Sequence, residues 1–378
     1  MKGWREGARD DASERALASE RPASACVAGN AMNGPPLLVA TDVTRQYPVR
    51  GTRQVLTAVA GVSLTLRRGE TLGIVGESGC GKSTLARLLV RLEAPTSGRI
   101  ELDGRDVTAL GHGALAEFRR RVQMVFQDPY ASLNPRVTVG RTLDEVLVVH
   151  RLGGREDRRR RVAELLDLVG LAARFAGRYP HQLSGGQRQR VGIARALAVG
   201  PEIVVLDEPL SALDVSVQSG IMNLLTELRD ELGVAYVFIS HDLGMVRHLS
   251  DRIAVMYLGR IVELGPWRPV SDDPRHPYTR ALQEAVPIAD PAVEATRHVE
   301  TLTGEVPDPA NPPAGCPFNP RCGLAEEVCR EIRPDLVDLG GAHEVACHVA
   351  VRERVAPREP PSASEGAASS GLRGPGTQ

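Results

Sequence analysis

Residues 76–84 read GESGCGKST and fit the spacing G-x-x-x-x-G-K-[ST]. Gly76, Gly79 and Gly81 let successive backbone N–H groups turn inward around phosphate oxygens. Lys82 brings positive charge to β- and γ-phosphates, and the Ser83 hydroxyl is a ligand for Mg²⁺. Glu77, Ser78, Cys80 and Thr84 complete a nucleotide-binding loop, with Cys80 a small side chain that fits. A second anion-binding feature follows about a hundred residues later. Leu183 precedes Ser184, Gly185, Gly186 and Gln187, which open a helical stretch predicted over 188–199. A helix start made of one hydroxyl and two glycines offers free N–H groups to an anion. Shortly after it, the apolar run 203–206 ends in Asp207 and Glu208. Two adjacent carboxylates at one strand end can divide the work of hydrolysis. One offsets the charge of Mg²⁺ while the next faces the attacking water.

These groups need elements to hold them. Strands are predicted at 37–44, 57–66 and 71–75, and a helix at 82–92, so the glycine-rich loop joins a strand to a helix. Residues 158–169 are amphipathic, with Val162, Leu165, Leu166 and Val169 on one face. The bounded apolar runs 203–206 and 235–239 read as parallel strands buried on both faces. This alternation predicts an α/β domain with a mostly parallel core sheet. The segment from about 129 to 186 is mainly helical and interrupts the alternation as a helical subdomain. A single phosphate loop without an internal repeat implies one nucleotide-binding domain. Residues 1–36 are expected to be disordered, with Met32 as the true start. Residues 356–378 are expected to form a loose tail.

Bulk properties exclude several functions. The formal net charge of -1 offers no basic field for nucleic acid, and aromatic platforms for stacked bases are scarce. The longest apolar runs have strand length, well short of the roughly 20 residues that span a bilayer. Arg9, Asp10, Asp11, Glu14 and Arg15 interrupt any secretory leader. The expectation is a cytoplasmic protein whose membrane contact comes through a partner.

The loop, the LSGGQ string and the acidic strand end, in that order over residues 37–264, resemble the ABC ATPase family. The resemblance implies a P-loop NTPase fold: a mostly parallel core sheet, an antiparallel β subdomain and a helical subdomain, here with a Cys-rich C-terminal extension. It implies that residues 184–187 grip the γ-phosphate of ATP held by an opposite subunit. It matches Asp207 to the Mg²⁺-associated aspartate and Glu208 to the carboxylate that polarises water. Gln127 matches the glutamine that touches Mg²⁺ and links core to helical subdomain, and His241 the histidine that contacts the γ-phosphate. Residues 211–214, ending in Asp214, resemble the D-loop of the dimer interface. Tyr47 matches the aromatic that stacks on adenine.

Local strings narrow the resemblance further. Residues 127–136 (QDPYASLNPR), 276–282 (HPYTRAL) and 315–322 (GCPFNPRC) are similar to the ATPase subunits of dipeptide and oligopeptide permeases. That group implies partners: a second, paralogous ATPase, two transmembrane permease subunits and an extracytoplasmic solute-binding protein. It implies a peripheral place on the cytoplasmic face of the membrane, uptake of peptides as the main reading and no nucleic acid partner. A relative importing nickel or another small solute is the alternative. An exporter would carry fused membrane spans; a soluble ABC protein of DNA or ribosomes would bring tandem domains, coiled coils or a basic surface.

The extension, residues 266–355, gathers Cys316, Cys322, Cys329 and Cys347, while Cys26 and Cys80 stand alone. In a reducing compartment such a group favours a metal site over disulfides. The spacings differ from the paired C-x₂-C of zinc ribbons. The resemblance implies a [4Fe–4S] cluster, with zinc or free thiols as alternatives.

Overall fold

The computed structural model describes residues 34–49, 51–128, 132–286 and 304–355. The expected start at Met32, Cys26, the tail from 356 and residues 129–131 of the 127–136 string lie outside these. Two sheets form the frame. The first is antiparallel, in the order β2-β1-β4-β5, from Leu38–Pro48 (β1), Val55–Leu66 (β2), Ser97–Leu102 (β4) and Arg105–Asp106 (β5). The second has at its centre Thr71–Val75 (β3), flanked by Ala235–Ser240 (β8) and Arg252–Tyr257 (β9). Ile203–Asp207 (β7) and Val122–Val125 (β6) continue it on the β8 side. These five strands are parallel. Every residue of β3, β7 and β8 is buried, which is why they read as continuous apolar runs rather than alternating ones. Each fully buried Val, Leu or Ile contributes roughly 1.5–3 kcal/mol, so this layer fixes the position of whatever its ends carry.

Register decides what those ends carry. Val75 pairs with Ser240 on one side and Val255 on the other, and Asp207 pairs with Ile239. The carboxyl ends of β3, β7 and β8 therefore finish level, and the segments after them, at Gly76, Glu208 and His241, share one edge. Crevices at the carboxyl ends of parallel strands are where such sheets bind ligands.

Helices pack on both faces. Lys82–Leu89 (α1) follows the phosphate loop, and His112–Arg121 (α2) leads into β6. Val139–Val149 (α3), Arg155–Leu168 (α4) and Gly185–Leu197 (α5) pack against one another as the helical region. Asp214 caps Val215–Leu232 (α6), whose far end stops at Gly233, φ 66°. Leu243–Leu249 (α7) returns the chain to β9. None of the helices among the described residues is long and apolar enough to cross a membrane.

The C-terminal segment is sewn into this frame. Arg260–Pro266 (β10) pairs antiparallel with β9. It also pairs with Glu344–Val345 (β12), which carries Val337–Asp338 (β11) at the edge. Trp267–Asp272 (α8) and Pro277–Glu284 (α9) lie between. Glu263 of β10 is fully buried and accepts from the Arg275 and His276 N–H groups and pairs with His343 Nε2 at 2.7 Å. A buried carboxylate survives only with such partners. Tyr257, Tyr278 and Phe318 meet with ring centroids 4.7–5.5 Å apart. The second sheet thus includes strands on both sides of the start of the extension at residue 266.

Candidate active site

The loop that follows β3 is shaped by glycines and by Lys82. Gly81 holds φ 106°, and a Cβ there would stand 2.1 Å from the Ala58 carbonyl oxygen of β2. A Cβ at Gly76 would stand 2.1 Å from the Met256 carbonyl oxygen of β9. Only glycine allows β2 and β9 to approach so closely. Lys82 is buried; its Nζ donates to the Gly76 and Glu77 carbonyls at 2.7 and 2.9 Å and lies 3.8 Å from Glu208 Oε1. Cys80 is buried in the loop, and burial pushes its thiol pKa up, with Lys82 opposing.

Ser83 Oγ donates to Asp207 Oδ1 at 3.0 Å. Burial raises the Asp207 carboxyl, the Ser83 bond opposes this and the charge of Glu208 adds to it. A cation would offset the cost of charge on that buried carboxylate. Hydroxyl and carboxylate oxygens side by side are the hard donors that Mg²⁺ takes, so the residues present fit the ion.

Glu208 follows β7 with φ 44°, a left-handed conformation uncommon for a non-glycine residue and a recurrent form of strain at functional sites. Its N–H donates to the Ile239 carbonyl of β8 at 3.0 Å, which holds the turn. The side chain then reaches two neighbours. Gln127 Nε2 donates to Glu208 Oε2 at 2.8 Å, and His241 Nδ1 lies 3.7 Å from the same oxygen. Gln127 follows β6 and His241 follows β8, so three neighbouring strands deliver one cluster.

A cavity of about 310 Å³ is lined by Tyr47, Ser78, Gly79, Gly81, Lys82, Ser83, Thr84, Gln127 and Glu208, with Ala58, Gly259 and Pro309 at its wall. Its floor is the phosphate loop. The Tyr47 hydroxyl donates to Glu93, and the Arg45 guanidinium lies 4.7 Å from the ring centroid. Ser184, Gly185, Gly186, Gln187 and Asp214 do not line this cavity. They sit together elsewhere. Ser184 caps α5: its Oγ accepts from the Gln187 N–H at 3.3 Å, and Gln187 Oε1 accepts from the Ser184 N–H at 3.0 Å. A Cβ at Gly186 would strike Val217 of α6 at 2.5 Å. Asp214 Oδ1 accepts from the Val217 N–H and the Ser216 hydroxyl, which hold its carboxyl below the usual range.

The four C-terminal cysteines line a second, narrow pocket together with His276, Phe318 and His348. Burial pushes the Cys316 thiol up to about 11; a backbone bond from Phe318 opposes this, and the other three thiols add to it. The donor set is therefore convergent. Among the described residues, however, no group of three or more His, Cys, Asp or Glu side chains takes a metal-holding arrangement. The thiols share a pocket that is not drawn together as a formed iron–sulfur or zinc ligand set.

Sequence reasoning missed two residues at the loop itself. The Glu77 N–H donates to the Tyr278 hydroxyl at 2.8 Å, and the Glu77 carboxylate is gripped by Arg321. Tyr278 and Arg321 both lie in strings already singled out, yet nothing in those strings gives their partner.

Comparison with known proteins agrees with this geometry. The family model described as ABC transporter matches residues 59–211, and the one described as oligopeptide/dipeptide transporter, C-terminal region, matches 262–329. The oligopeptide transport ATP-binding protein AppF of Bacillus subtilis is 49% identical over 84% of this chain and 99% of its own length. The dipeptide transport ATP-binding protein DppF of Escherichia coli is 47% identical over 82% and 94%. Among solved structures, the ATP-binding cassette MJ0796, a dimer bound to ADP and Pi, is 35% identical with a TM-score of 0.56. It covers 61% of this chain and 99% of its own.

Proposed function

The chain belongs to the ABC transporter ATP-binding proteins, in the oligopeptide/dipeptide group, and from that premise we propose that its ATP hydrolysis drives uptake of di- and oligopeptides across the cytoplasmic membrane. The observation that carries the reading is a division within one chain. Lys82, Ser83, Gln127 and Glu208 line a single cavity, whereas residues 184–187 and Asp214 lie outside it. Half of a site faces its own nucleotide, and the other half faces away, toward a second ATPase. The dimeric cassette MJ0796 bound to ADP and Pi supports that pairing.

In this reading Lys82 leaves its loop carbonyls for the β- and γ-phosphates, and Tyr47 stacks on adenine. Ser83, Gln127 and Asp207 hold Mg²⁺, which offsets phosphate charge when bound. Glu208, aimed by Gln127, polarises water toward the γ-phosphate, and His241 contacts that phosphate. The partner's serine and glycines close from the opposite side. Hydrolysis removes the γ-phosphate contact, the pair opens, and the difference in affinity between states becomes motion. A groove of about 480 Å³ between β6 and α3 exposes Phe126, Leu92 and Val149. This apolar surface supports docking of one permease subunit at the cytoplasmic face, with the companion ATPase taking the second and an extracytoplasmic binding protein delivering the peptide.

The four cysteines of the extension receive the finer assignment of a [4Fe–4S] cluster, with zinc as the competitor. Their support is the shared pocket and the all-thiol donor set. Anaerobic purification with iron and sulfide analysis tests it; a colourless, iron-free protein rejects the cluster.

The pairing is tested with Glu208→Gln, co-expressed with the companion ATPase. The variant binds ATP, loses turnover and accumulates as a closed pair on size exclusion. A variant that hydrolyses ATP at the wild-type rate, or stays unpaired at saturating ATP, contradicts the assignment.

A further inference from the structure

A carboxylate in a phosphate-binding loop is an awkward neighbour for a triphosphate. Glu77 supplies one, as the second residue of the loop. Both its oxygens are engaged: Arg321 Nη1 donates to Oε2 at 2.7 Å and Nη2 to Oε1 at 3.0 Å. The Arg321 side chain is only 5% exposed, against 26% for Glu77. Its Nη1 also lies 3.4 Å from the Tyr257 hydroxyl at the end of β9. The turn Asn319–Arg321 that presents it is anchored by Phe318, packed against Tyr257, Tyr278 and His276. The main chain of Glu77 is held from the same segment, through the Tyr278 hydroxyl.

We propose that Arg321 is a positioning residue for nucleotide binding: from the C-terminal segment it neutralises the phosphate loop's own carboxylate and keeps it turned away from the phosphates. The proposal rests on reading residues 76–84 as the ATP cradle. Two parallel charge-assisted bonds fix direction as well as charge. Without Arg321, Glu77 keeps its charge, loses its direction and repels the incoming triphosphate. Glu208 and Gln127 are untouched by the change, so the loss falls on ATP affinity rather than on the hydrolytic step.

The test is a double-mutant cycle read by ATP binding and by the split between KM and kcat. Arg321→Ala raises Kd and KM for ATP by about tenfold or more, with kcat within about twofold. Glu77→Gln/Arg321→Ala returns Kd to near the wild-type value, because the repelling charge is gone. A residue that merely held the C-terminal segment in place gives no such rescue. Arg321→Lys, which keeps the charge without the bidentate fork, gives an intermediate Kd and serves if the alanine variant fails to fold. A folded Arg321→Ala with wild-type affinity, an unrescued double variant, or a lysine variant as tight as wild type overturns the proposal. Failure of the cradle reading is seen separately, as absence of ATP binding by the wild-type chain or its persistence in Lys82→Ala.

Discussion

Gln127 and Glu208, eighty-one residues apart, meet side chain to side chain, with Nε2 donating to Oε2 at 2.8 Å. The contact follows from the sheet: β6 and β7 run parallel with Val125 opposite Leu206, so residues just beyond their ends must be neighbours. Gln127 thereby aims the carboxylate. Gln127→Ala is expected to lower ATP turnover by about ten- to a hundredfold while leaving ATP affinity within a few-fold, since positioning of a general base is lost and the phosphate contacts remain. Steady-state hydrolysis alongside equilibrium ATP binding checks this.

Gly81→Ala strikes the loop through its backbone. The position combines φ 106° with an Ala58 carbonyl oxygen 2.1 Å from the added Cβ. The strain costs about 1–3 kcal/mol and displaces the N–H groups that face phosphate. The variant should melt at a lower temperature and lose the stabilisation that saturating ATP gives the wild type. Thermal melts with and without nucleotide are the measurement.

Ser184→Ala separates the two halves of the site. The hydroxyl caps α5 and lies outside the chain's own cavity. Loss of the cap costs about 1 kcal/mol locally. Binding of ATP by the single chain should persist, while turnover and ATP-dependent pairing fall. A Ser184→Ala protein that binds no ATP as a monomer contradicts the division of labour.

The C-terminal segment should confer a pH dependence on stability. His276 is fully buried, and burial pushes its imidazole down to about 4, with the charge of Glu263 opposing and that of Arg280 adding. Its Nδ1 accepts from the Tyr278 N–H, which requires the neutral form. In the unfolded chain it titrates near 6.5. The unfolded state therefore binds the extra proton between these values, and stability falls as pH drops from about 6.5 toward 4, by up to about 1.4 kcal/mol per unit. His276→Asn keeps a capping acceptor and removes the titration. Denaturant midpoints across this range should show a flatter profile for the variant.

What the sequence revealed was local or periodic. Lys82 and Ser83 lie within one loop of fixed spacing. Asp207 and Glu208 announce themselves because the strand before them is buried on both faces and reads as an unbroken apolar run. The β9–β10 hairpin escaped notice for a physical reason. Its two-residue turn, Leu258-Gly259, has φ 42° and 78° at both positions, as a type I′ turn demands, yet leucine replaces the Asn or Asp that marks such turns. The left-handed Glu208 has no sequence signal either. The pairing of Glu77 with Arg321 spans 244 residues and has no periodicity to betray it. The grouping of four cysteines pointed to a metal, and the fold brings the thiols to one pocket without a formed ligand set.

The proposed role is ATP hydrolysis that drives peptide import. The most direct measurement is ATP hydrolysis by the complex reconstituted in proteoliposomes with both permease subunits, the companion ATPase and the solute-binding protein. Peptide-loaded binding protein should raise the rate several-fold over the unloaded form, and Glu208→Gln should abolish the rise. Stimulation by a nickel-loaded or other small-solute form alone, with peptide inert, would contradict the account.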